Sequence, residues 1–302
     1  MEIFLALKQQ PPLFYTSIVI LGLLVGSFLN VVIHRLPVML HRSWKNDCLE
    51  FLSEKFPDTL NISVNPATGE QEHYNLVVPR SACPHCGHKI TALENIPVIS
   101  YLFLKGACRA CKVKISLRYP LIEILSAAMA TTVAWKFGFS YEALFAALLS
   151  WSLISLTFID YDHQYLPDQI TLPFLWLGLL VNLNGTFTDI QSALIGAVTG
   201  YLVLWTVFHI FKLVTKKEGM GFGDFKLLAM LGAWLGWQHL PAIILLSSII
   251  GSLVGISLIA FKQHDRGKPI PFGPYLAGAG WIALLWGNDI NQLYFNFVLG
   301  TG

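Results

Sequence analysis

The chain has 302 residues, 54% of them hydrophobic and only 13% charged, with a mean hydropathy of +0.58. Soluble domains carry about 25% charged residues, so this composition excludes an ordinary soluble globule and implies an integral membrane protein. The net charge of +2 is too small to imply nucleic-acid binding, and no nucleic-acid partner is expected.

A membrane-spanning helix needs about 20 mostly apolar residues. On that measure spans are expected near 14–33, 120–137, 141–159, 171–187, 191–211, 225–238, 242–261 and 274–296, the sixth being short and glycine-rich. Lys8 stands alone before the first run and no small-residue cleavage site follows it. The run is therefore expected to be kept as a first span and not removed as a signal peptide. More than half of the 20 Lys and Arg fall within 34–119. Placing that segment in the cytosol also places 160–168, 212–226 and 262–268 there. Only Lys8 and Lys136 are then left outside, as the positive-inside rule requires.

Between the first two spans lie Cys83-Pro84-His85-Cys86 and Cys108-Arg109-Ala110-Cys111, two CxxC pairs 21 residues apart. This spacing matches a four-thiolate zinc site in which each pair forms one knuckle. The alternative is buried or redox-active thiols, but a reducing cytosol leaves cysteines free for metal. Four protein ligands close the coordination sphere, so the zinc is expected to organise the insert, which lacks a large core of its own, and not to hydrolyse anything. His73, His85 and His88 are assigned surface or supporting roles, and Cys48 is an unremarkable thiol. Residues 42–79 are polar, with turn-formers such as Asn65-Pro66-Ala67-Thr68-Gly69, and are expected to be partly flexible. The expected fold is an all-α polytopic membrane protein of about eight transmembrane helices with a small cytosolic zinc-stapled insert. It divides into a first span (1–33), the insert (34–119) and a membrane-embedded core (120–302).

Two carboxylates sit at the cytosolic ends of apolar runs: Asp160 in Phe158-Ile159-Asp160-Tyr161-Asp162, and Asp224 in Gly221-Phe222-Gly223-Asp224-Phe225-Lys226. Ionised groups at a bilayer are costly and are functional candidates by default. Brought together, the two could not both ionise easily, and one would hold a proton at neutral pH. A simple helix-capping role explains Asp224, which opens a span, because negative charge is favourable at a helix N-terminus. It does not explain Asp160, which closes one. Asp162 is the rival for that role, but helical residues two apart point about 200° apart, so only one of them can face Asp224. Asp168, in Leu166-Pro167-Asp168, is expected to cap the fourth span. The glycines of Gly219-Met220-Gly221-Phe222-Gly223 permit close approach of an extended substrate. They follow a membrane span and lack a Gly-Lys-Ser/Thr ending, which argues against a nucleotide loop. Pro271-Phe272-Gly273-Pro274 is either a plain helix start or a substrate-positioning element, and both readings stay open.

Taken together these stretches resemble the type IV prepilin peptidases, or prepilin leader peptidase/N-methyltransferases. The resemblance rests on Gly26-Ser27-Phe28-Leu29-Asn30 through Pro37, the two CxxC pairs, Arg118-Tyr119-Pro120 with Glu123, Asp160 with Leu166-Pro167-Asp168, Gly221 to Lys226, and Pro269 to Pro274. It implies an aspartyl protease of the GxGD kind in the bacterial inner membrane, multi-pass, with Asp160 and Asp224 as catalytic residues on the cytosolic side. The implied substrates are type IV prepilins and type II secretion pseudopilins, cut after a glycine that follows a basic leader. It further implies methylation of the new N-terminus by S-adenosylmethionine in the insert, with Gly106 the candidate donor-binding residue. Residue chemistry alone points to no methyl-donor pocket. Two other classes remain alongside: a zinc-stapled membrane binding module with structural carboxylates, and a proton-coupled transporter. The transporter would need charges near the midplane, not at the cytosolic edge.

Overall fold

A computed structural model describes residues 9–56, 74–261 and 270–299, and among these the regular structure is helical. The helices are α1 (Pro11–Lys55), α2 (Ile99–Phe103), α3 (Arg118–Phe137), α4 (Tyr141–His163), α5 (Asp168–Asn182), α6 (Ile190–Thr215), α7 (Phe222–Leu235), α8 (Leu240–Ala260) and α9 (Gly273–Leu299). Each expected span overlaps one of them. Among the described residues, four stretches are by length and hydropathy long and apolar enough to cross a membrane: α1, α4, α6 and Trp237–Leu258. The expected loop at 65–69, His73, Lys8 and the 262–268 segment lie outside the described residues.

The first helix differs from expectation. It does not stop near residue 33 but continues through Pro37 to Lys55, so 42–55, expected to be loose, is helical. That stretch holds no Gly or Pro and several good helix formers, and Phe56 is followed by Pro57, which disfavours helix at the residue before it.

The chain forms two compact units, residues 20–127 and residues 1–19 with 128–302, the division falling inside α1 and α3. In the first unit, α1 and α3 pack antiparallel through small residues. A Cβ at Gly22 would stand 2.6 Å from Ala127 Cα, and one at Gly26 would stand 2.6 Å from Glu123 Cα. Such positions let helix backbones approach closely. Ser126 Oγ donates to the Gly22 carbonyl at 2.6 Å, and Asn30 Nδ2 donates to the Tyr119 carbonyl at 3.1 Å. Beyond the apolar run, buried Arg35 donates to the carbonyls of Asn75 at 2.9 Å and Pro79 at 2.6 Å, tying the insert to α1.

In the second unit α7 is the central element: 11 of its 14 residues are buried. It meets α6 through Gly196 and Gly232, where either Cβ would collide with the other's backbone, and through Gly200, whose Cβ would stand 2.7 Å from the Leu228 carbonyl oxygen. At its C-terminal end, buried Asn182 donates to the Ala233 and Trp234 carbonyls, both at 2.9 Å, which a helix end leaves without intrahelical partners. Trp234 fills the gap against α5, its indole N–H donating to the Phe174 carbonyl at 2.7 Å. This packing fixes the depth and rotation of α7, and with them the position of Asp224.

Candidate active site

Three segments converge at the ends of α4, α7 and α9. Asp160 lies in the last turn of α4, which ends at Gln164 in a left-handed cap whose N–H returns to the Asp160 carbonyl. Asp224 lies in the first turn of α7. Both carboxylates are buried, at 6% and 7% exposure. Leu166 packs between the other two segments: a Cβ at Gly223 would stand 2.9 Å from Leu166 Cβ, and one at Gly273 would stand 3.3 Å from Leu166 Cδ2. Gly273 is also in contact with Asp160, donating its backbone N–H to Oδ2 at 3.0 Å.

Asp162 is exposed, on the other side of α4 from buried Asp160, as a helix continuing past residue 160 requires. Asp168 is not the cap. Pro167 occupies the N-cap position, and Asp168 is the first helical residue, held by Lys226 Nζ at 2.7 Å from both carboxylate oxygens. The reason is charge pairing across two elements: Lys226 projects from α7 toward the start of α5. Two features were not anticipated from the sequence, the Gly273 N–H and the Asp168–Lys226 pair. Only the second left a signal, as opposite charges beside the two aspartate motifs.

The four cysteines of the insert also converge. Their Sγ atoms all lie within 4.8 Å of one another, with Cys83–Cys111 at 3.8 Å and Cys86–Cys108 at 3.9 Å. A tetrahedral zinc with Zn–S of about 2.3 Å needs sulfur separations of about 3.8 Å, so the donors fit. The two knuckles repeat one another. Cys83 N–H bonds the His88 carbonyl and Cys108 N–H bonds the Val113 carbonyl, both at 2.9 Å. The N–H groups of Cys86 and then His85 pull the Cys83 thiol down to about 7, and those of Cys111 and Ala110 lower Cys108. The Val113 N–H favours the Cys111 thiolate, but burial and the neighbouring thiols together push that thiol up to about 11. Four crowded thiols resist joint ionisation, and a bound dication is what allows it.

Glu94 joins the two knuckles. It accepts from the Thr91 N–H at 2.9 Å and hydroxyl at 2.8 Å, meets His88 at 3.3 Å and faces Arg109 at 3.8 Å. The Thr91 N–H and hydroxyl, then His88, hold its carboxyl down to about 2. His85 and Cys48 are exposed. Gly106 is buried at φ +66, and a Cβ there would stand 2.7 Å from the Tyr101 hydroxyl. The turn itself therefore accounts for a glycine at this position.

Fold and site together define a helical membrane protein with a buried carboxylate pair and a four-cysteine cluster. Two family models match it: the bacterial peptidase A24 N-terminal domain over residues 20–137, and the type IV leader peptidase family over residues 147–256. The chain belongs to the type IV leader peptidase family. It is 54% identical, over 99% of its length and 100% of the relative's, to the prepilin leader peptidase/N-methyltransferase of Aeromonas salmonicida. With the protein of the same name from Aeromonas hydrophila it shares 55% over the same extents. The Pseudomonas aeruginosa protein of that name is 54% identical over 96% of this chain and 97% of its own. No solved structure matches the chain.

Proposed function

We propose that this chain is a bifunctional enzyme of the bacterial inner membrane. It removes the basic leader from type IV prepilins and type II secretion pseudopilins after a glycine, and then methylates the new N-terminus. The full set of about eight helices crosses the bilayer, with the cleavage site at the cytosolic face. The observation that carries the reading is that Asp160 and Asp224, from two different helices, are both buried, on segments that Leu166 and Gly273 bring together.

In the proposed reaction one aspartate is ionised and takes a proton from water as the water attacks the scissile carbonyl. Its protonated partner polarises that carbonyl and then protonates the leaving amine. The Gly273 N–H holds Asp160 in place from behind. No acyl-enzyme forms. Cys83, Cys86, Cys108 and Cys111 would hold a structural zinc, which would neutralise four thiolates and fix the two knuckles.

S-Adenosylmethionine supplies an electrophilic methyl group to the methylation step. Gly106 does not fit as a cradle for this donor, because the Tyr101 hydroxyl fills the space beside it. Its proposed contribution is to shape the turn of the insert.

The test is leader cleavage by Asp160→Asn, Asp224→Asn and Asp162→Asn proteins, with the product N-terminus read by mass spectrometry. The first two abolish cleavage while remaining inserted, and exposed Asp162→Asn retains substantial activity. Asp224→Asn still methylates a pilin supplied without its leader, since methyl transfer uses none of the pair's proton chemistry. Full cleavage by Asp224→Asn would remove the aspartyl mechanism.

A further inference from the structure

One part of the insert carries a surface unsuited to water. Leu93, Ile96, Ile99, Leu102 and Phe103 are all exposed, the last to 82%. Packing within this unit sets their depth. Gly26 of α1 lies against Glu123 of α3, and the buried Glu123 carboxylate accepts the Val98 N–H at 2.7 Å. Val98 is thereby held near the level of Gly26. At about 1.5 Å per helical residue that level is about 10 Å inside the end of the apolar run at Ile33.

Backbone at such a depth has to satisfy its polar groups within the protein, because hydrocarbon offers no partners. This segment does so. Val98 N–H goes to Glu123, and the N–H groups of Ser100, Leu102 and Leu104 bond the carbonyls of Ile96, Val98 and Ser100. Val98 itself adopts φ 59, ψ −48, a backbone region that a β-branched residue avoids without an external hold. On α3 itself, Leu121, Ile124 and Leu125 are likewise exposed. Lys105, Arg109, Lys112 and Lys114 are exposed just after them in sequence, cations suited to the phosphates of an anionic leaflet.

We propose that residues 96–103 are seated in the bilayer, with Ile96, Ile99, Leu102 and Phe103 at the boundary between headgroups and acyl chains and the following lysines among the phosphates. An amphipathic segment lying in the interface buries its apolar face by about 5–10 Å, which matches the depth set by Glu123. The occupant of this surface is phospholipid. The inference rests on α1 being a membrane span, and it makes the metal-binding insert a surface-anchored module instead of one standing free in the cytosol.

The test uses the full chain in phosphatidylglycerol nanodiscs, with a spin-labelled unnatural residue replacing Phe103, Leu24 or Arg109 in turn. Phe103 is too exposed for its replacement to disturb packing, and Leu102, at 69% exposure, provides a second position. Collision with a water-soluble nickel chelate is expected to be lost at 103 as it is at 24, and to be retained at 109. Retention at 103 with loss at 24 overturns the seating but leaves the membrane reading of α1 intact. Retention at 24 overturns both. Protection at 103 that develops only when a prepilin is added assigns the surface to the protein substrate and likewise overturns the proposal.

Discussion

Replacing Gly273 by alanine isolates the contact between α9 and Asp160. The new Cβ would stand 2.6 Å from Asp160 Oδ2 and 3.1 Å from Cγ, closer than ordinary packing permits. The carboxylate then has to withdraw by about 0.5 Å or more to reach van der Waals distance. Withdrawal weakens or breaks the 3.0 Å bond from the Gly273 N–H. A hydrogen bond to a charged group contributes about 1.5–3 kcal/mol. At about 1.4 kcal/mol per factor of ten, kcat/KM for leader cleavage should fall by about tenfold to a hundredfold. Stability falls as well, because forcing a methyl group against a buried carboxylate is overpacking, which costs about 1–3 kcal/mol. Gly278, in the same helix with nothing within 4 Å of its virtual Cβ, is the control. The assay is cleavage of a full-length prepilin in vesicles by Gly273→Ala and Gly278→Ala, alongside thermal unfolding of each. Wild-type turnover by Gly273→Ala would refute the reasoning, because an Asp160 that tolerates this collision is not held where the reaction needs it.

Purified, reduced protein should carry about one zinc per chain. Chelation, or Cys83→Ser combined with Cys108→Ser, should raise hydrogen exchange across the insert and leave the membrane helices protected; elemental analysis finding no metal would defeat the staple. Glu94, lowered to about 2, contributes stability that is complete above its ordinary value and lost as pH falls through its folded one. Glu94→Gln should therefore speed amide exchange in the knuckles at pH 7, whereas near pH 2 the metal-free variant and wild type should exchange alike. Equal rates at pH 7 would show that the carboxylate holds nothing. Gly106→Val must accept a left-handed backbone at a cost of about 1–2 kcal/mol as well as a clash with Tyr101. Because this distorts the turn of the insert and not the helices that carry Asp160 and Asp224, incorporation of labelled methyl groups should drop while cleavage survives; equal loss of both would mean the insert fails as a whole.

The helices are legible in the chain because apolar length needs no tertiary partner to be recognised. That Asp160 and Asp162 face different sides is also legible, since helical geometry alone turns them apart. The four cysteines announce themselves by spacing, a local property that the convergent Sγ atoms match. The run of α1 beyond Arg35 is harder to see, because a change from apolar to charged side chains marks the end of lipid and not the end of a helix. The Gly273 N–H on Asp160 joins residues 113 positions apart and involves a backbone group, so no side-chain pattern encodes it. Asp168 shows the complementary error. Its place just after Pro167 resembles a cap, and only the arrival of Lys226 from α7 shows what it does.

The brevity of α7 has a consequence for how the protein is made. Fourteen residues of helix span about 21 Å, well short of the about 30 Å hydrocarbon core, and the segment carries an acid in its first turn. Such a segment is a poor substrate for insertion into lipid by itself. Its glycine contacts with the 26-residue α6 and its tryptophan seat on α5 are available only after those helices have left the ribosome. Integration of α7 is therefore a cooperative event, completed when the preceding helices receive it. On the proposed topology the acid at residue 224 reaches its buried place together with them, kept from lipid by the same packing that fixes α7.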